Sequence, residues 1–194
     1  MKRTATATLA VGVCATFGAI AISQAAQPTR ARSSWSVARY FTVLRPARAA
    51  GSALANSVPA NTAKSLTKSG TLVSGLELEP AVASQVTLRG AKNGWVVPGK
   101  RGICLVLEVA HEIAQDCNEA ASADTRGIVM VERSNANISI FGLIPDGATV
   151  SATSQDGSQE PVAVEGNVFS REGSGIQSVS VRNGGAVVST TPVE

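Results

Sequence analysis

The residues of this 194-residue chain best suited to chemistry gather in one short stretch. Its single histidine, His111, lies in Glu108-Val109-Ala110-His111-Glu112-Ile113-Ala114-Gln115-Asp116. A zinc protease of the HExxH type needs a second histidine at position 115, where Gln115 stands, so that motif fails. Glu108, His111, Glu112 and Asp116 nonetheless have the donors for a zinc or manganese ion, since carboxylates and an imidazole suit either. The competing reading, which we prefer, is an exposed polar loop carrying a solvated histidine. No G-x-S-x-G turn is present to raise a nucleophilic serine, and no phosphate or dinucleotide fingerprint occurs. The chain therefore reads as non-catalytic and free of cofactors. A hydrolase or metal-dependent enzyme built on His111 is the remote alternative.

A second group could act by display. Pro98-Gly99-Lys100-Arg101-Gly102 is a tight-turn sequence with two cations at its crest, two residues before Cys104. A rigid loop presenting Lys100 or Arg101 would suit an inhibitor of trypsin-like proteases, because preorganisation lowers the entropy lost on binding. An ordinary solvated hairpin tip explains the same residues and is the plainer reading.

The first residues decide the compartment and, with it, the cysteine chemistry. Lys2 and Arg3 precede an apolar stretch from Leu9 to Ile22, and Ser23 and Ala25 supply small residues at −3 and −1 of a cut after Ala25. That is the plan of a secretory signal peptide. The apolar core, about 14 residues, is short of the roughly 20 that span a bilayer, so cleavage is expected rather than anchoring. Cys14 leaves with the signal, and lipoprotein processing there is discounted because Val13 precedes it. The mature chain keeps Cys104 and Cys117, and an even count in an exported protein reads as a disulfide. A metal pair or a catalytic thiol would need a CxxC-like spacing or ligand company that these residues lack.

Charge is unevenly spread. From Gln27 to Leu76 the chain has Arg30, Arg32, Arg39, Arg45, Arg48, Lys64 and Lys68 and no acid, whereas acids exceed bases from Glu77 onward. This basic arm could meet an anionic cell-surface polymer or another exported protein. A solvated linker is the blander alternative, and nothing suggests nucleic acid. The arm is also the most aromatic segment: Trp35, Tyr40 and Phe41 could line a partner surface, or dock the arm on its own domain.

The elements that must position these groups read mostly as strands. About 170 residues remain after cleavage, enough for one domain with a core of Val, Ile, Leu and Ala. Residues 1–25 are taken as signal, 26–74 as a basic, partly flexible arm, and 75–194 as one β-rich domain. Residues 47–74 show no period and read as loop with at most a helical turn. Glu79–Leu88, with Pro80 in its first turn, predicts a helix. Gly94–Val97 and Ile103–Val109 predict a hairpin whose second strand, apolar on both faces, is central. Asn118–Asp124 predicts a short helix capped by Asn118. Runs at 127–132, 138–144, 148–154, 161–164, 167–170, 176–181 and 186–189, punctuated by Pro145-Asp146-Gly147, Asp156-Gly157 and Asn183-Gly184-Gly185, predict further strands. The expected fold is mainly β with minor α, an antiparallel sheet or sandwich, with an Ig-like C-terminal layer as one form it could take.

Several short motifs occur in a recognisable order. They are Phe41-Thr42-Val43-Leu44-Arg45-Pro46-Ala47, then Trp95-Val96-Val97-Pro98-Gly99 with Cys104, then Cys117, Leu143-Ile144-Pro145-Asp146-Gly147 and Asn167-Val168-Phe169. In this order the chain resembles exported proteins of high-GC Gram-positive (actinobacterial) bacteria with F-x-V-L-R-x-P-A, W-x-V-P-G…C…C and L-x-P-D-G motifs. Such proteins often carry two cations before the proline, where this chain has Arg45 alone. The resemblance implies export, the disulfide and a single domain. It supplies no substrate and no active site. The combined expectation is an exported, non-catalytic domain that binds a partner or serves a structural role at the cell envelope.

Overall fold

Strand-forming runs dominate the described chain, and the computed structural model places them in three antiparallel sheets. It describes residues 36–45, 58–68, 75–134 and 137–193. Residues 1–25, predicted as a signal segment, and Trp35 lie outside the described residues. The first sheet has the order β1-β2-β3-β4, from β1 (Ser84–Val86), β2 (Asn93–Pro98), β3 (Gly102–Val109) and β4 (Glu112–Glu119). The second runs β5-β6-β9, from β5 (Ile128–Ser134), β6 (Asn137–Leu143) and β9 (Val168–Gly173). The third runs β11-β10-β7-β8, from β7 (Thr149–Ser154), β8 (Gln159–Val162), β10 (Ile176–Asn183) and β11 (Ala186–Pro192). Two α-helices accompany them among the described residues, α1 (Ala60–Lys68) and α2 (Ala120–Arg126).

The alternation of side chains along each strand fixes how the sheets stack. Ile103, Leu105 and Leu107 of β3 and Val96 of β2 share a core with Ile128, Met130, Phe141, Leu143 and Val168 of the second sheet. Ile140 and Phe169, on that sheet's opposite face, pack with Val150, Ala152, Val179 and Val181 of the third. The second sheet is thus buried on both faces, as its near-continuous apolar runs require. On the far side of β2 and β3, Trp95, Val97, Cys104 and Val106 meet Val58 and Leu66. The expected mainly β, sandwich-like architecture is what forms, and β3 is central to its sheet.

Four local expectations are corrected. Glu79–Leu88 is no helix: Pro80–Val82 makes one 3-10 turn, and β1 follows, pairing Ser84 with Val96 and Val86 with Gly94. Burial there alternates, with Val86 and Leu88 inside and Gln85 and Thr87 outside, which is a strand's period of two. Conversely, α1 spans nine residues where a loop was expected. Its inner face is Thr62 and Leu66, four apart, both nearly inaccessible. A threonine at a core position hid the pattern. Asn118 does not cap α2; Glu119 occupies that place, and the Asn118 amide donates to the Gly127 carbonyl at 2.6 Å, closing the far end of the helix. Finally, the stretch after Val109 is not one loop: Ala110 and His111 make a tight turn and β4 begins at Glu112, as described below.

Candidate functional site

The metal reading of the His111 region depends on four side chains facing one another, and the hairpin separates them. β3 and β4 pair in unbroken register from Gly102↔Glu119 to Val109↔Glu112. Ala110 and His111 form the turn, both at positive φ (46° and 74°), with the imidazole exposed. Glu108 pairs with Ile113, whose side chain shares the face of Cys117 and Trp95. Glu112 and Asp116 share the other face of β4 with Ala114, about 13 Å apart along an extended strand. Glu108 is also committed, one oxygen accepting from Lys92 Nζ at 2.9 Å and the other from Asn93 Nδ2 at 2.7 Å. These bonds hold its carboxyl below the usual range. Asp116 accepts from the Cys117 N–H at 2.8 Å, while desolvation pushes its pKa up. Among the described residues no three His, Cys, Asp or Glu side chains group to hold a metal ion.

The Lys100–Arg101 tip is exposed, but residues 76–79 bind it from behind. The Lys100 and Arg101 N–H groups donate to the Glu77 and Leu76 carbonyls, each at 3.2 Å, and Lys100 Nζ pairs with Glu77 at 3.0 Å. That hydrogen bond and the Glu77 charge raise the Lys100 pKa. Gly99 permits this approach, since a Cβ there would run into the Leu76 and Glu77 carbonyls. A protease-binding loop must offer its extended backbone to the enzyme. Here the backbone donors are already engaged, which speaks against the inhibitor reading.

Cys104 and Cys117 are joined, as expected, and directly opposite one another across β3 and β4. The arm's aromatic residues separate into different roles. Phe41 is fully buried with Val37 and Leu44, so it docks the arm and has no surface to offer a partner. Tyr40 is half-buried, with the Arg39 guanidinium 4.8 Å from its ring centre.

The densest polar arrangement involves residues that spacing alone did not single out. Asp146 accepts from the Thr42 N–H at 2.9 Å, the Thr42 hydroxyl at 2.8 Å, the Asn167 amide at 2.8 Å and the Arg45 guanidinium. Asn167 also accepts from the Val43 N–H at 2.9 Å and donates to the Ile144 carbonyl at 3.1 Å. The Asp146 N–H donates to the Tyr40 carbonyl at 2.7 Å. Asn167 holds φ at 75°, a conformation asparagine tolerates better than most residues. Residues 41–45, 143–147 and 167–169, which belong to three of the motifs that carry the resemblance, therefore meet in one latch that ties this part of the arm to the sheets. A shallow depression of about 600 Å³ opens beside it, lined in part by Thr42, Arg45, Asp146, Val164 and Asn167. Its charged and amide side chains are paired with each other, an arrangement that holds chain segments together rather than activating a nucleophile. Pro-Asp-Gly read simply as a turn, and only the recurrence of the motifs in order pointed to Asp146 and Asn167.

Desolvation pushes the Asp146 carboxyl up, but hydrogen bonds from Asn167 and Thr42 and the Arg45 charge outweigh it and hold the pKa below the ordinary value. A lowered folded pKa contributes stability that is present above the unfolded value, about 3.9, and lost as pH falls through the folded one. Asp146→Asn is expected to remove on the order of 1–2 kcal/mol at neutral pH. The difference from wild type should shrink progressively below about pH 4. Urea unfolding at a series of pH values measures this, and a constant difference down to pH 2 would contradict it.

The chain matches no described protein family, no curated protein and no solved structure.

Proposed function

We propose that this chain is an exported, non-catalytic domain that acts by binding, or as a structural component, at the cell envelope. The observation that carries this reading is the cystine between β3 and β4. A disulfide persists where the surroundings are oxidising, and the amino-terminal signal pattern directs the chain to such a place. The candidate catalytic side chains support the non-catalytic half: Glu108 is spent on Lys92 and Asn93, and His111 sits exposed on a hairpin turn. Motif residues supply core packing and the arm latch, so the likeness to exported actinobacterial proteins is read as a shared scaffold. Among the described residues no helix is long and apolar enough to cross a membrane. Fractionation of the native organism with intact-mass measurement tests the proposal. The expected species is extracytoplasmic, begins at Ala26, and weighs two hydrogens less than the reduced chain. A full-length, reduced protein in the cytoplasm would overturn it.

A further inference from the structure

An asparagine followed by glycine is open to a reaction of the chain with itself, because glycine has no side chain to shield its amide nitrogen. The sequence holds two such pairs, Asn93-Gly94 and Asn183-Gly184, and each other asparagine precedes a residue with a side chain. The fold separates the two. Asn93 lies in β2, where its Nδ2 donates to Glu108 at 2.7 Å. Gly94 is buried between Val86 of β1 and Leu107 of β3, and a Cβ there would come within 3.0 Å of the Val86 side chain. Backbone and carboxamide are both held, inside a sheet.

Asn183 ends β10 at the tip of the β10–β11 hairpin. Gly184 and Gly185, at φ 58° and 84°, turn the chain back to Ala186, which pairs with Asn183. β7 pairs with β10 only as far as Arg182, so Asn183 is held by the edge strand β11 alone. The β10–β11 register shifts between Val181 and Arg182, which separates the tip from the regular pairing beyond. Among the described residues no hydrogen bond engages the Asn183 carboxamide or the Gly184 N–H. Added Cβ atoms on Gly184 or Gly185 would meet nothing within 4 Å, so the turn stands in solvent. Ring closure requires the backbone at asparagine to leave its extended form. A hairpin tip opens at far lower cost than the interior of a sheet. The Asp-Gly pairs at 146 and 156 are a poorer match. Ser158 donates its N–H and hydroxyl to Asp156 at 2.9 and 2.6 Å, and the latch holds Asp146. Such bonds favour the ionised carboxylate, which is a weak electrophile.

We propose that Asn183 is a self-modification site, converted by Gly184 and water to aspartate and isoaspartate. The Gly184 nitrogen attacks the side-chain carbonyl carbon of Asn183, forming a C–N bond that closes a succinimide ring. The side-chain nitrogen leaves as ammonia, carrying away the proton that the Gly184 nitrogen gives up. Water then adds to one imide carbonyl and breaks its bond to the ring nitrogen. Opening at the side-chain carbonyl gives aspartate, and opening at the backbone carbonyl gives isoaspartate. The net change is one oxygen in place of one NH, with no oxidant or reductant. The product has a new carboxylate beside Arg182, and the isoaspartyl form lengthens the backbone at the Asn183↔Ala186 pair. This goes beyond the binding reading and does not depend on it.

The test incubates the purified native protein, cystine intact, in mildly alkaline buffer made with ¹⁸O-labelled water. A parallel sample is kept unfolded in concentrated urea with reductant, and peptide mass spectrometry follows each asparagine. In the folded protein Asn183 should convert at least about ten-fold faster than Asn93, yield both aspartate and isoaspartate, and take up one ¹⁸O. Unfolded, the two pairs should convert at similar rates, because only the fold distinguishes them. Asn183→Gln should end conversion at that position, since the ring it would form is larger, while the circular dichroism spectrum is retained. Equal rates at the two pairs in the folded protein, faster reaction at Asn93, an Asn183 that converts only when unfolded, or a product without isoaspartate would each overturn the proposal.

Discussion

Phe41→Ala is expected to destabilise the protein by about 3–5 kcal/mol, the usual result of emptying a fully buried phenylalanine site. Phe41 comes from the arm, yet its side chain has no accessible surface and shares a core with residues of the first two sheets. Against a total stability of about 5–15 kcal/mol, that loss would lower the thermal midpoint by roughly 10 °C or more. The urea midpoint should fall with little change in slope, because the surface exposed on unfolding is nearly the same. Limited proteolysis should at the same time cut more readily within residues 36–45, whose remaining ties are the Asp146 and Asn167 hydrogen bonds and the buried Val37 and Leu44. A loss under about 1 kcal/mol would mean that the arm is an accessory and not part of the core.

Removing the cystine by Cys104→Ala with Cys117→Ala should cost about 3 kcal/mol, the loop-closure value for a bridge across roughly 15 residues. The actual separation is 13 residues. The structure adds where the loss should appear. β4 contributes few apolar side chains, Ile113, Ala114 and Cys117, and none of its residues is fully buried. Its place in the sheet depends on the ladder to β3 and on the bridge. Hydrogen exchange should accelerate most at the β4 amides paired to β3, with β5, β6 and β9 slowed or speeded only through the global change. Treating wild type with a reductant should reproduce the variant's unfolding midpoint, and the variant itself should not respond. Uniform acceleration across all three sheets, or a variant as stable as wild type, would contradict this assignment.

Phe41 and the cystine also show how legible the molecule was. The strands that could be read carried their own signal. Ile103–Val109, Ile138–Ile144 and Ile176–Val181 are rich in β-branched or apolar residues and are bounded by turn sequences, so local preference and tertiary demand agree. β4 gave no such signal, since Glu-Ile-Ala-Gln-Asp-Cys-Asn-Glu is polar enough for a loop and becomes a strand through its partner. In α1 the inward residue Thr62 is polar, and in Glu79–Leu88 a proline suggested a helix that strand pairing with β2 overrode. The aromatic run at 35–44 suited a surface or a core equally well by composition. Burial of Phe41 is a property of the surrounding sheets and cannot be read from its neighbours in the chain.

What the sequence determined by itself was the composition-level and covalent outline: a signal-like start, the pairing of Cys104 with Cys117, and an antiparallel β-rich domain with its main turns. Each of these depends on residues close together in the chain or on simple counts. Only the tertiary structure decided that Thr42 and Arg45 meet Asp146, more than a hundred positions away, that the carboxylates around His111 fall on opposite faces of a hairpin, and that Glu112–Glu119 forms a strand at all. The physical reason is that hydrogen-bond partners and strand faces are set by register, and a shift of one residue exchanges the two faces of a strand. Register arises from the packing of all three sheets together.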